Sequence, residues 1–171
     1  LFRSSPAVVV ALLEESQQII PFGRWVIRTA CRQLRAWKNE GVQNVRMSVN
    51  VSPIQLQDAQ LLRTVSKALA SSRLQPSDLG VELTESTHVS DDPVSVGTLK
   101  GLQALGVHLE IDDFGMGYSS MLYIRRFRFA TIKLDGVLTR DVVSDKNCRD
   151  IIASVVQLGE ASGIRVLAEY V

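Results

Sequence analysis

Apolar positions along this chain of 171 residues switch between two periods. In short runs they alternate with polar ones. VRMSVNVS sets Val45, Met47 and Val49 against Arg46, Ser48 and Asn50, and LGVELTEST sets Val81 and Leu83 against Gly80, Glu82 and Thr84. LEIDD sets Leu109 and Ile111 against Glu110 and Asp112, TIKLD sets Ile132 and Leu134 opposite Lys133, and RVLAEYV closes the series with Glu169 at its tail. Alternation of this kind predicts strands with one buried face.

Between these runs the apolar residues recur at three and four, which predicts helices. The first starts at the Ser5-Pro6 pair and runs to about position 20 with one buried face. A second carries Trp25, Val26, Thr29, Cys31, Leu34 and Trp37 inward and ends at Gly41, with Arg24, Arg28, Arg32 and Arg35 as its solvated face. A third, over 52–74, is amphipathic through Leu61, Leu62, Val65, Ala68 and Leu69 and is broken by Pro76. A fourth spans 94–105 and stops at Gly106, residues 119–129 form a short helix or irregular crossover, and a long amphipathic helix after Asp145 is closed by Gly163.

Strand, helix, strand, helix, with connections too long for hairpins, is an α/β chain with a parallel sheet and right-handed crossovers. In such sheets, open or barrel-shaped, functional side chains gather beyond the carboxyl ends of the strands. Here successive strands end in Asn50, Glu82, the adjacent pair Asp112 and Asp113, Lys133, and Glu169. If the sheet curls, these groups surround one mouth. The loop after the acid pair holds Gly115 and Gly117, which permit backbone turns that other residues resist, and Ser119 or Ser120 suits a helix cap.

Composition narrows the chemistry. Nineteen Lys and Arg nearly balance eighteen Asp and Glu, and no basic stripe is interleaved with aromatics, so neither DNA nor an anionic membrane is the expected partner. The longest apolar runs are too short to cross a bilayer, and Cys31 and Cys148 lack partners at metal-ligand spacing. A cytoplasmic domain, or the cytoplasmic part of a membrane-anchored protein, is expected.

Carboxylates with a carboxamide are hard oxygen donors suited to Mg²⁺, Mn²⁺ or Ca²⁺, and neither His88 nor His108 shares their spacing. An adjacent acid pair suits a two-ion site, where one acid binds or bridges one cation and its neighbour turns to another. Lys133 then holds a water or a phosphate oxygen and relieves the acid cluster. A plain acid–lysine network at a strand-end surface accounts for the same residues without chemistry, and a barrel in which acids hold Mg²⁺ and a lysine abstracts a carbon-bound proton shares the strand-end logic.

SVNVSPIQL, VELTES, EIDDFGMGYSS, TIKLD and LAEYV, in this order, resemble the EAL domain family of bacterial cyclic di-GMP phosphodiesterases. The resemblance implies a single TIM-like (β/α) barrel domain of the EAL type that hydrolyses the second messenger to linear pGpG with Mg²⁺ or Mn²⁺, as two ions. By motif position Asn50, Glu82, Asp112 and Glu169 match metal ligands, and Asp113 matches the ligand turned to the second metal. Lys133 matches the lysine near the catalytic water, so that Lys133, Glu169 and Asp113 form the catalytic group, and Glu85 matches the acid anchoring the loop. That loop, Phe114, Gly115, Gly117, Tyr118, Ser119 and Ser120, is similar to the segment coupling dimer contacts to metal binding. Asp135 matches the family's lysine-x-aspartate pattern, in a direct or a supporting role.

The resemblance starts after the strand bearing the eponymous glutamate and stops before the last strand. It predicts a partial barrel of about five parallel strands over 1–171, self-association or strand exchange, a homodimer, and sensory or diguanylate cyclase domains in the full-length protein. A non-catalytic cyclic di-GMP receptor or protein-interaction domain is the alternative. Tyr170 stands where the family has glycine, beside the mouth. Glu110 replaces a small apolar residue one step below Asp112 on the same strand face. An unpaired buried acid there is costly, so Glu110 is expected to pair with Lys133 or Arg46.

Overall fold

In a computed structural model that describes residues 5–85, 92–115 and 124–171, the alternating runs are strands β1 (Met47–Asn50), β2 (Leu79–Thr84), β3 (His108–Phe114), β4 (Phe129–Leu134) and β5 (Arg165–Ala168). They pair in chain order, and every pairing is parallel. Helices among the described residues include α1 (Pro6–Glu15), α2 (Ile19–Asn39), α3 (Pro53–Leu56), α4 (Leu61–Ser71), α5 (Pro93–Leu105), α6 (Gly136–Thr139) and α7 (Lys146–Ser162).

The apolar phase of each strand faces the helices. Leu79, Val81, Leu109, Ile132 and Leu134 are almost fully buried against Ile27, Cys31 and Leu34 of α2, Leu61 and Val65 of α4, and Leu99 and Leu102 of α5, in one continuous core. Burial pushes the Cys31 thiol up to about 11, which leaves it a small core hydrophobe. Helix ends follow local chemistry: the Asp92 carboxylate accepts the Val94 and Ser95 amides, and α5 and α7 stop at Gly106 and Gly163 in left-handed backbone.

The polar phase faces the other way and is held by register. Ser48 lies beside Gly80, Asn50 beside Glu82, Glu82 beside Glu110, and Thr84 beside Asp112. The row that begins at Asn50, near the end of β1, continues through Glu82, Glu110 and Thr131 to Arg165 at the start of β5. This downward stagger from strand to strand is the shear that lets a parallel sheet curl.

Several expectations are corrected. α1 ends at Glu15 rather than near position 20, because Gln17 takes positive φ and the chain restarts as α2. It buries none of its residues: valines and leucines surround its circumference, and Val8 and Leu12 stay over half exposed. Trp25 and Trp37 are exposed rather than core, since the inward stripe of α2 runs Ile19, Gly23, Ile27, Cys31 and Leu34. Arg24 and Arg35 are not merely solvated. Arg24 makes a two-pronged pair with Asp58 (Nε at 3.0 Å and Nη2 at 2.9 Å), and Arg35 donates to the Ser72 carbonyl at 2.6 Å. The third helix is two, α3 and α4, separated at 57–60 where Asp58 turns to meet Arg24.

Candidate active site

A β-bulge makes the site. Ile111 pairs with Ile132 and Phe114 with Leu134, so that Asp112 and Asp113 together oppose the single residue Lys133. An extra residue in one strand bends it and re-aims side chains. Asp112 points inward, 9% exposed, while Asp113 turns into left-handed backbone with φ 54°. Two adjacent acids thereby serve one site from different directions, where regular alternation would send them to opposite faces. Gly115, at φ 112°, completes the turn against Leu138.

Lys133 is the centre. Its ammonium lies 3.2 Å from the Glu82 carboxylate, 2.9 Å from Asp112 and 2.8 Å from Glu169, one acid each from β2, β3 and the residue after β5. Asp112 accepts the Asp113 amide on the same oxygen, at 3.1 Å. Burial works against the Lys133 charge, but hydrogen bonds to Glu169 and Asp112 and the Glu82 charge outweigh it and raise its pKa well above the usual lysine value. This lysine stays protonated across the physiological range.

One ammonium does not balance the acids around it. Burial raises the Glu82 carboxyl above its ordinary range, and the charges of Asp112 and Glu110 add to that against the pull of Lys133. Asp113 is raised too, by burial and then by Asp112, Asp135 and Glu169, with Lys133 opposing. Among the described residues no three His, Cys, Asp or Glu side chains form a ready-made metal cage. The centre of the acid cluster is instead held by the lysine cation. All the surrounding donors are hard oxygens, and they carry surplus negative charge, so the set fits Mg²⁺- or Mn²⁺-type ions.

Asn50 lies at the end of β1, exposed, on the wall of a groove of about 980 Å³ that runs between α1, α2 and the free edge of β1 to Asp112 and Asp113. Ser52, also on that wall, has a buried hydroxyl without a partner among the described residues. Glu85 is buried, and its carboxylate accepts the Gly115 amide at 2.8 Å, which ties the end of β2 to the turn after β3. Phe114 is buried. Gly117, Tyr118, Ser119 and Ser120, and the crossover up to 123, lie outside the described residues, as does His88. His108 sits at the opposite end of β3 from the acids.

Glu110 pairs with Arg46 at 3.1 Å and accepts the Ser48 hydroxyl at 2.9 Å; of the two expected partners, the structure selects the arginine. Asp135 spends its carboxylate on the Val137 amide (2.7 Å) as the cap of α6. Tyr170 is 66% exposed, with the Arg140 guanidinium 5.6 Å from its ring centre. Sequence reasoning missed α6 and Thr139, whose hydroxyl reaches the Glu169 carbonyl. The signal was faint: an aspartate cap followed by only four helical residues.

The family profile described as EAL domain matches residues 3–171. The bifunctional diguanylate cyclase/cyclic di-GMP phosphodiesterase MucR of Pseudomonas aeruginosa is 36% identical over 165 residues, which are 96% of this chain and 24% of MucR. The chain thus spans about a quarter of the curated relative's length. A solved MucR phosphodiesterase in complex with c-di-GMP superposes with a TM-score of 0.87 at 36% identity, covering 96% of this chain and 66% of that one. A calcium/cy-diGMP complex of BlrP1 from Klebsiella pneumoniae superposes at 0.79 with 26% identity, covering 96% of this chain and 41% of that one.

Proposed function

The chain belongs to the EAL domain family, and from that premise we propose that it is part of the catalytic domain of a phosphodiesterase that hydrolyses cyclic di-GMP to linear pGpG. The observation that carries this reading is the Lys133 ammonium held by Glu82, Asp112 and Glu169 with Asp113 turned beside them. A binding module needs contacts to the nucleotide, whereas a metal-dependent hydrolase needs this whole set of acids gathered at one point, and that gathering supports the catalytic reading.

Asn50, Glu82, Asp112 and Glu169 would hold one divalent ion, Mg²⁺ or Mn²⁺, and Asp113 would turn to a second. Bound there, such ions lower the pKa of a water and screen charge on the phosphoryl group. The rest follows from the chain's own groups. Lys133, with its ammonium against Glu82, Asp112 and Glu169, supplies N–H donors and a positive charge inside the acid ring. Its three N–H groups lie among three carboxylates, and from there the ammonium would donate to the attacking water or a phosphate oxygen. Glu85, through the Gly115 amide, anchors the turn that aims Asp113.

MucR is named a bifunctional protein, and this chain matches about a quarter of it. Diguanylate cyclase or sensory domains in the same polypeptide, a homodimer, and a cytoplasmic location belong to the same reading. Among the described residues no helix is long and apolar enough to cross a membrane.

The test is incubation of the full-length protein with cyclic di-GMP and Mn²⁺ or Mg²⁺, with products separated by chromatography. Linear pGpG should accumulate and EDTA should stop it. Tight nucleotide binding without turnover in either metal would assign the chain to the receptor class instead.

A further inference from the structure

Glu169 lies just past the last residue of β5, where neither strand nor helix holds it. Its carboxylate nevertheless reaches Lys133 at 2.8 Å. The reason lies in its two peptide groups. Its amide donates to the Leu134 carbonyl at 3.1 Å, the last rung of the ladder between β4 and β5. Beyond that rung the ladder has ended, because Asp135 turns the chain into α6. The Glu169 carbonyl is taken instead by the Thr139 hydroxyl at 2.7 Å.

That bond is specific. Thr139 is 4% exposed, and the other acceptor in its reach, the Asp135 carbonyl, is 3.5 Å away. A hydroxyl has one proton, and the shorter contact takes it. The helix that carries Thr139 is itself fixed to the acid-bearing strand, since the Asp135 amide donates to the Phe114 carbonyl at 3.2 Å. α6 is therefore a bracket with one end on β3, behind Asp112 and Asp113, and the other on Glu169.

The next residue is gripped as well. Tyr170 has φ 56°, a turn that side chains resist, and its ring lies beside Gly136 and Arg140. A Cβ at Gly136 would sit 3.1 Å from the Tyr170 Cδ2 and 3.0 Å from the Arg140 Nε, so the absence of a side chain there makes room for the ring.

We propose that Thr139 is a positioning residue for Glu169, acting through the Glu169 carbonyl, with Arg140 and Tyr170 as the second grip of the same bracket. The proposal rests on the reading of Glu169 as a ligand of a divalent ion. Partners that orient a ligand shape affinity because a carboxylate free to swing must be ordered when the ion binds.

The experiment uses the full-length protein with Thr139→Val, which removes the hydroxyl, and Thr139→Ser, which keeps it. Mn²⁺ binding is read from the electron paramagnetic resonance of the free ion without nucleotide, and kcat and KM for cyclic di-GMP are read separately. Thr139→Val should weaken Mn²⁺ binding by about tenfold or more and lower kcat, while Thr139→Ser binds Mn²⁺ as the parent does. Equal Mn²⁺ affinity in Thr139→Val and parent, or a serine variant as impaired as the valine one, overturns the proposal.

Should Thr139→Val not fold, Arg140→Ala at the exposed end of α6 decides. It should weaken Mn²⁺ binding by about threefold, and unchanged binding counts against the bracket. A parent protein that binds no Mn²⁺ overturns the proposal outright. One that binds Mn²⁺ without hydrolysing the nucleotide overturns the phosphodiesterase reading alone.

Discussion

The Arg46 guanidinium lies 3.1 Å from the Glu110 carboxylate, joining the residue before β1 to the middle of β3 across the intervening β2. Glu110 is 5% exposed and accepts the Ser48 hydroxyl with its other oxygen. A buried acid two residues below Asp112 is thereby satisfied on both oxygens without drawing on Lys133, which keeps that lysine for the site above. Removal of Arg46 leaves the charge with one neutral donor. Arg46→Ala should cost about 1–3 kcal/mol, reduced from a fully buried pair because the arginine side chain is partly exposed. Urea unfolding measures this, and a change near zero would show that solvent alone carries Glu110.

Gly80 is the reason the pair can form. A Cβ built there would collide with the Ser48 hydroxyl and lie 2.9 Å from the Glu110 Oε1. Gly80→Ala should therefore destabilise by about 1–3 kcal/mol even though alanine suits a strand better than glycine. Adding Ser48→Ala, which removes the nearest obstacle, should recover part of the loss. A stability gain in Gly80→Ala would contradict the crowding of this face.

Asp113 predicts a pH effect with a definite sign. Its carboxyl is raised by burial and by Asp112, Asp135 and Glu169. A group whose folded pKa lies above its unfolded value contributes stability that is present below the unfolded pKa and lost as pH rises through the folded one. At neutral pH, in EDTA, the Asp113 carboxylate is thus a burden. Asp113→Asn should melt higher than the parent under those conditions, with the advantage vanishing toward pH 3, and asparagine tolerates the left-handed backbone. With Mn²⁺ added the order should narrow or reverse, since the parent gains more from the ion. Thermal melts with and without Mn²⁺ check both signs.

Lys133→Met removes the cation that three carboxylates share. Turnover of cyclic di-GMP should fall by about 10²–10³. Chromatographic yields of pGpG check this, and undiminished turnover would show that the cation takes no part.

The acid-terminated strands were legible because alternation is a local property: which residues share a strand face depends only on their spacing. Asn50, Glu82, Asp112, Lys133 and Glu169 could be placed at strand ends for that reason, and the ordered motifs carried the family. The exposed α1 and Trp25 were misplaced because helical periodicity says which side chains share a stripe but not which stripe meets the core. The break at 57–60 depends on Arg24, more than thirty positions earlier, reaching Asp58. No window along the chain contains both.

What this sequence determined by itself is the parallel α/β order, the polar phase of each strand, and the identity of the acids and the lysine at the strand ends, all consequences of short-range periodicity and residue chemistry. Only the tertiary structure decided that Asp112 and Asp113 share one opposing residue, that Glu110 takes Arg46 and leaves Lys133 to the acids, and that Thr139 holds the Glu169 peptide. Those arrangements depend on pairing register and on contacts between residues far apart in the chain, where a shift of one residue moves every side chain to the opposite face.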